Sequence, residues 1–148
     1  MAKLLNIYVR PGKGQPIKEL TETMVKASLG LKDDYFAKKD GKRQITILSN
    51  EAWSLACHEL GQTLDPKLRR ANLLVEGLDL KEAVGKLLQI GRAVIRIEGE
   101  TVPCRLMDEV CSGLKKALAS DWRGGVYGSV LADGYIYQGD DIKWVTGI

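Results

Sequence analysis

The chain has 148 residues, 45% of them apolar and 28% charged, the balance of one ordinary globular domain able to bury its own core. Its net charge of +3, from 22 basic and 19 acidic residues mixed along the chain, is too weak and too dispersed to argue for nucleic acid, and no apolar run approaches the roughly 18 residues of a membrane span. The N-terminal apolar run is short and is interrupted by Asn6, Arg10 and Pro11, so we expect a single cytoplasmic domain over residues 1–148, and the three irregularly spaced cysteines, Cys57, Cys104 and Cys111, read as reduced thiols rather than a disulfide framework.

In chain order, residues 4–9 read as a first strand, stopped by Pro11-Gly12. Residues 16–29 mix helical spacing (Ile17, Leu20, Met24) with the strand-favouring Thr21, Thr23 and Val25, and a loop followed by a short strand is expected. Residues 30–41 are polar and aromatic and read as an exposed loop, and 44–48 form a β-branched strand. Ser49 or Asn50 then caps a helix that runs to Leu60 and stops at Gly61, with Trp53, Ala56, Cys57 and Leu60 along one face. Strands follow at 73–75, 87–90 and 93–98, the last two joined at Gly91-Arg92. Residues 107–118 carry a helical stripe weakened by Gly113. Strands at 126–131, 135–137 and 142–145 close the chain, with Asp133-Gly134 as a hairpin signal. So many short strands, with 16 glycines mostly between them and a few inserted helices, predict a mainly β fold: a closed or nearly closed β-barrel, which removes free edges.

Four stretches carry candidate chemistry. Pro103-Cys104-Arg105 follows a strand and precedes a helix; Pro103 stiffens the corner, and the nearby N–H groups and Arg105 favour a thiolate on Cys104. The same cysteine also reads as a small hydrophobe or an ordinary surface thiol. Arg43 and Gln44 open the strand at 44–48 and suit a phosphate or carboxylate, or a solvated hairpin end. Arg69, Arg70 and Asn72 offer planar cations and an amide, or a solvated charged face. Arg123 with Gly124 lets backbone approach a ligand beside a cation, or merely turns into a strand. His58 is the only histidine, no ligand set stands near it, and no phosphate-loop or dinucleotide fingerprint is present.

Taken in order, these pieces resemble the MOSC family, the module at the C-terminus of molybdenum cofactor sulfurases. The matching stretches are 30–35, 42–48, 69–80, Val84-Gly85, 90–93, Pro103-Cys104, 122–126 and the closing 134–140, which is similar to the family's final hairpin. Two positions depart from the family pattern: Asp33 stands where a glycine is usual, and Ala71 interrupts the Arg-Arg-Asn run. The resemblance implies a mainly β barrel with a cleft at the Pro-Cys corner, and a bound molybdenum cofactor (molybdopterin). It implies that Cys104 carries sulfur as a persulfide or ligates molybdenum, and that Arg43, Arg69, Arg70 and Arg123 hold the pterin phosphate, with Arg43, Arg123 and Cys104 sharing one cleft. The partners it implies are a cofactor-dependent enzyme and a cysteine desulfurase as sulfur donor. Two other functions stay open: a molybdenum-dependent reductase of N-hydroxylated substrates, and a non-catalytic module that binds a pterin or another anion.

Overall fold

The structure, a computed structural model, describes residues 2–37 and 39–146. Lys38, inside the expected 30–41 loop, lies outside the described residues, as do Met1 and residues 147–148. The elements run β1 (Ala2–Val9), β2 (Lys18–Leu20), β3 (Glu22–Lys26), β4 (Gly30–Leu31), β5 (Ile45–Ser49), α1 (Asn50–Leu60), β6 (Leu73–Glu76), β7 (Leu87–Ile90), β8 (Ala93–Glu100), α2 (Leu106–Val110), α3 (Leu114–Ala119), β9 (Val126–Ala132), β10 (Gly134–Tyr137) and β11 (Asp141–Val145). Seven strands close a barrel in the order β11-β7-β8-β9-β5-β6-β1, sealed where β1 pairs β11 at Ala2↔Ile142; β2 flanks β1 outside the ring. The strands β10, β3 and β4 form a separate sheet. The mainly β barrel with three α-helices is thus the observed architecture.

Strand period explains how one barrel serves two cores. On β1, β5 and β6 the residues Ile7, Ile47 and Leu73 point into the barrel with Ile95 and Ile97 of β8. Their neighbours Tyr8, Leu48 and Leu74 point outward, where Trp53, Met107, Leu114 and Leu118 of the helices cover them. The β5–β6 pair is parallel, and α1 supplies the crossover such a pair requires. Ser49 caps α1 by accepting from the Ala52 N–H, and Gly61 ends it in the left-handed region at φ 65°.

Three expectations need correction. Residues 16–29 hold two strands, β2 and β3, not one after a loop, because β3 finds partners on both sides in β10 and β4. The helix expected over 107–118 is broken: Cys111 is extended and Gly113 sits at φ 90°, so α2 and α3 are separate turns on the core. Leu60 of α1 packs at Gly113, where an added Cβ would meet its Cδ2 at 3.1 Å, so a straight helix there would collide with α1. Asp133-Gly134 is not a hairpin. β9 pairs β8 and β5, while β10 leaves to pair β3. Asp133 instead accepts from the Ala27 N–H, and Gly134 lies where a Cβ would be 2.5 Å from the Ala93 nitrogen. The closing 134–140 stretch likewise carries the chain from the small sheet back to the barrel, since β11 pairs β7 and β1.

Candidate functional site

The site forms where β8 runs out. Beyond Glu100, the Thr101 N–H donates to Gly125 O at 2.9 Å and the Thr101 hydroxyl donates to Gly124 O at 2.7 Å. This lays the segment leading to Cys104 flat on the 124–125 backbone. Only glycine allows it: a Cβ on Gly124 would lie 2.5 Å from Thr101 O, and one on Gly125, at φ 99°, 2.4 Å from Ile47 O. Pro103 is buried and Cys104 is exposed. Cys104 precedes α2 as coil, and α2 is only five residues long.

Arg69 ties this corner to the rest of the fold. It ends a short 3-10 turn over Pro66–Arg69 that Asp65 caps, and Arg70 closes the turn at φ 66°. The Arg69 Nε donates to Gly124 O at 3.0 Å and its Nη2 to Thr101 O at 2.7 Å. Its partners are neutral carbonyls; no carboxylate pairs with it among the described residues. Burial pulls the Arg69 guanidinium below its ordinary pKa, the charge of Cys104 pushes it back up, and Arg43 lowers it again. Arg69 thus has both Cys104 and Arg43 within electrostatic reach. Arg43 lies 5.4 Å from the centroid of the Tyr127 ring, and that ring covers Gly99, where a Cβ would be 2.4 Å from the tyrosine hydroxyl.

Next to Arg43 is a cavity of about 140 Å³ lined by Arg10, Phe36, Arg43, Gln44, Thr46 and Asn72 among others. Asp34, 1% exposed at its side chain, anchors its wall. Its carboxylate accepts from the Arg10 backbone N–H and Nε and from Nη2 at 2.8 Å, and also from Asn72 Nδ2 at 3.2 Å. Asn72 in turn accepts from the Thr46 N–H and donates to Tyr8 O. Gln44 accepts from the Val130 N–H at 2.8 Å. The Asn72 amide and the Gln44 oxygen are thus committed to the framework, whereas the Arg43 guanidinium has only the Tyr127 ring for a partner among the described residues. Arg70 is exposed.

Arg123 is placed differently. Its Nη1 donates to Ala117 O at 3.0 Å and its Nη2 pairs with Glu59 at 2.9 Å, so its charge is met from α3 and α1. It lines another depression, of about 400 Å³, with Ser49, Leu78 and Asp121. Sequence reasoning did not single out Arg10, Asp34, Thr101 or Tyr127. Arg10 and Asp34 stand 24 residues apart, and neither carries a local signal of its partner. Among the described residues no three His, Cys, Asp or Glu side chains converge to hold a metal, and no helix is long and apolar enough to cross a membrane.

A family model for the MOSC domain matches residues 10–143. No curated protein matches the chain. Among solved structures, the YuaD protein of Bacillus subtilis is similar at a TM-score of 0.78 and 22% identity, covering 95% of this chain and 93% of that one. YiiM of Geobacillus stearothermophilus is similar at 0.75 and 18% identity, covering 99% and 76%. YiiM of Escherichia coli is similar at 0.74 and 20%, covering 100% and 71%. At these identities the structures speak for the fold.

Proposed function

The chain belongs to the MOSC domain family, which is associated with molybdenum cofactor binding, and from that premise we propose that it holds the cofactor by its phosphate and uses Cys104 as a sulfur carrier. One observation carries the reading: the Arg69 guanidinium, with no carboxylate partner among the described residues, is held on Thr101 O three residues before the exposed Cys104, and the Arg43 guanidinium, equally without a carboxylate, is within its electrostatic reach. Guanidiniums that lack a counter-charge suit a phosphate, and a thiol is a soft ligand suited to molybdenum. The donor set fits the cofactor. The cavity of about 140 Å³ fits a phosphate-sized group, being well below the ~300 Å³ at which whole-ligand pockets begin.

When bound, the cofactor supplies a molybdenum able to take a sulfur ligand. The chain's own residues do the rest. Arg43 and Arg69 hold the phosphate, with exposed Arg70 beside them, and the Thr101 and Gly124 carbonyls keep Arg69 in place. Gln44 and Asn72 fix the cavity wall. Arg123 and Gly124 contribute from the same stretch, Arg123 by clamping α1 to α3 and Gly124 by giving the corner its floor. Cys104 loads by attack of its thiolate on the outer sulfur of a donor persulfide, R–S–SH. The Cys104–S bond forms, the donor S–S bond breaks, and R–SH leaves with a proton. A cysteine desulfurase would be such a donor, and a cofactor-dependent enzyme the recipient.

The test is to purify the protein anaerobically from cells that make the cofactor and measure molybdenum, pterin fluorescence and Cys104 persulfide together. Arg69→Gln should weaken pterin retention by ~10–100-fold, the worth of a charge-assisted hydrogen-bond pair. Cys104→Ser should keep pterin yet lose persulfide. Undiminished sulfur transfer in the serine variant would remove the thiol from the mechanism and leave an anion-binding module. Bound molybdenum with turnover of an N-hydroxylated base, given an electron donor, would establish the reductase instead.

A further inference from the structure

We infer that Tyr127 is a positioning residue for Arg43: its ring holds the guanidinium beside the small cavity while leaving the N–H donors free for a phosphate. The inference rests on the phosphate part of the proposed function and is independent of Cys104.

Strand register brings the ring into place. On β9, Tyr127 stands opposite Thr46 of β5 on one side and Gly99 of β8 on the other. β8 bulges at that point: Ile97 pairs Gly128, Gly99 pairs Tyr127, and Glu98 is the extra residue. Gly99 gives the ring its seat, since a Cβ there would lie 2.4 Å from the Tyr127 hydroxyl oxygen, 2.6 Å from Cζ and 2.8 Å from Cε2. The bulge carboxylate, Glu98, accepts from the Ser129 hydroxyl at 2.6 Å. The Arg43 guanidinium carbon lies over the seated ring, 5.4 Å from its centroid, within the roughly 6 Å reach of a cation–π contact. Arg43 itself lines the cavity with Gln44, Thr46 and Asn72.

A carboxylate in the same place would cancel the charge of Arg43 and occupy its fork. A ring face attracts the cation through its quadrupole and takes none of the in-plane N–H groups. The other arginines show the contrast. Arg10 pairs with Asp34, Arg123 pairs with Glu59, and Arg69 donates to the Thr101 and Gly124 carbonyls. Of these four, Arg43 is the one held without a hydrogen bond among the described residues. An unsupported surface arginine samples many rotamers and gives up that freedom on binding; the Tyr127 ring meets part of that loss in advance.

The experiment records the arginine Nε–H signals by NMR and titrates inorganic pyrophosphate. The Arg43 signal, assigned by its absence in Arg43→Gln, should be shifted upfield by the Tyr127 ring and should move as pyrophosphate is added. Gly99→Ala, whose methyl takes the ring's seat, and Tyr127→Leu should both abolish the ring shift and weaken pyrophosphate binding about 3–10-fold, the worth of a partly exposed cation–π contact. Tyr127→Phe, which keeps the ring, should restore both. In Arg43→Gln, adding Tyr127→Leu should weaken binding no further. Additive losses in that pair, or an Arg43 signal with no ring shift in the wild type, would overturn the proposal. Pyrophosphate that leaves a ring-shifted Arg43 signal unmoved would overturn the phosphate reading instead and reduce Tyr127 to a support for a surface side chain.

Discussion

Cys104, Cys111 and Cys57 are exposed, half-buried and buried in that order, and thiol reactivity follows access. Limiting iodoacetamide at neutral pH should therefore label Cys104 first and Cys57 last; peptide mapping that finds Cys57 labelled first would contradict the placement. Asn72 presents the opposite case, a polar side chain 1% exposed whose every bond is structural. It serves Thr46, Tyr8 and Asp34 together. Asn72→Ala should cost about 2–4 kcal/mol, because it takes away at once the partner of the Thr46 N–H, a donor to Tyr8 O and one of the donors to the buried Asp34 carboxylate, and urea unfolding would measure it. The chain's candidate list contained both residues but could not tell a ligand-binding amide from a framework one. That distinction depends on Asp34, which reaches Asn72 from 38 residues away.

At the scale of elements, glycines with similar dihedral demands should behave differently. Gly61 ends α1 at φ 65° with nothing within 4 Å of an added Cβ, so Gly61→Ala should cost only about 1 kcal/mol of left-handed strain. Gly125, at φ 99°, would put a Cβ 2.4 Å from the Ile47 carbonyl oxygen, and backbone cannot step aside cheaply. Gly125→Ala should cost more than about 3 kcal/mol and shift the Cys104 corner, visible as a lower Tm and altered amide signals around Thr101. The helix α1 was legible down to its cap and stop, because Ser49, Gly61 and the apolar face act within a few residues of one another. The break in the next helix and the course of β10 were not. Gly113 yields to Leu60, and Gly134 turns against Ala93 rather than back along β9.

For the molecule as a whole, Tyr8 reports on closure of the helical layer over the barrel. It lies outside β1 under that layer, and burial, with Glu19 and Asp65 adding negative charge, pushes its pKa from 10.0 to about 12. The unfolded chain ionises near pH 10 and the folded protein holds the proton longer. This contribution is therefore complete below about pH 10 and lost as pH rises to about 12, an effect on the order of 1–2 kcal/mol once solvent screening is allowed for. Urea unfolding midpoints should fall across that window, and in Tyr8→Phe the fall should be shallower; an unchanged slope would place Tyr8 in water.

The chain by itself determined the class of the fold and supplied the candidates for the site. Strand period, glycine spacing, one well-capped helix and a Pro-Cys corner are local features, set by neighbours a few residues apart, and they carry the barrel, α1 and the naming of Cys104, Arg43 and Arg69. The tertiary structure alone decided which candidates stand together. It held Arg69 on the Thr101 and Gly124 carbonyls next to the Cys104 corner, sent Arg123 to Glu59, and spent the Asn72 amide and the Gln44 oxygen on the framework. The reason is physical. A buried charge or amide takes whichever partner satisfies it, and in a closed barrel that partner arrives from a strand or turn tens of residues away, where no local pattern records it.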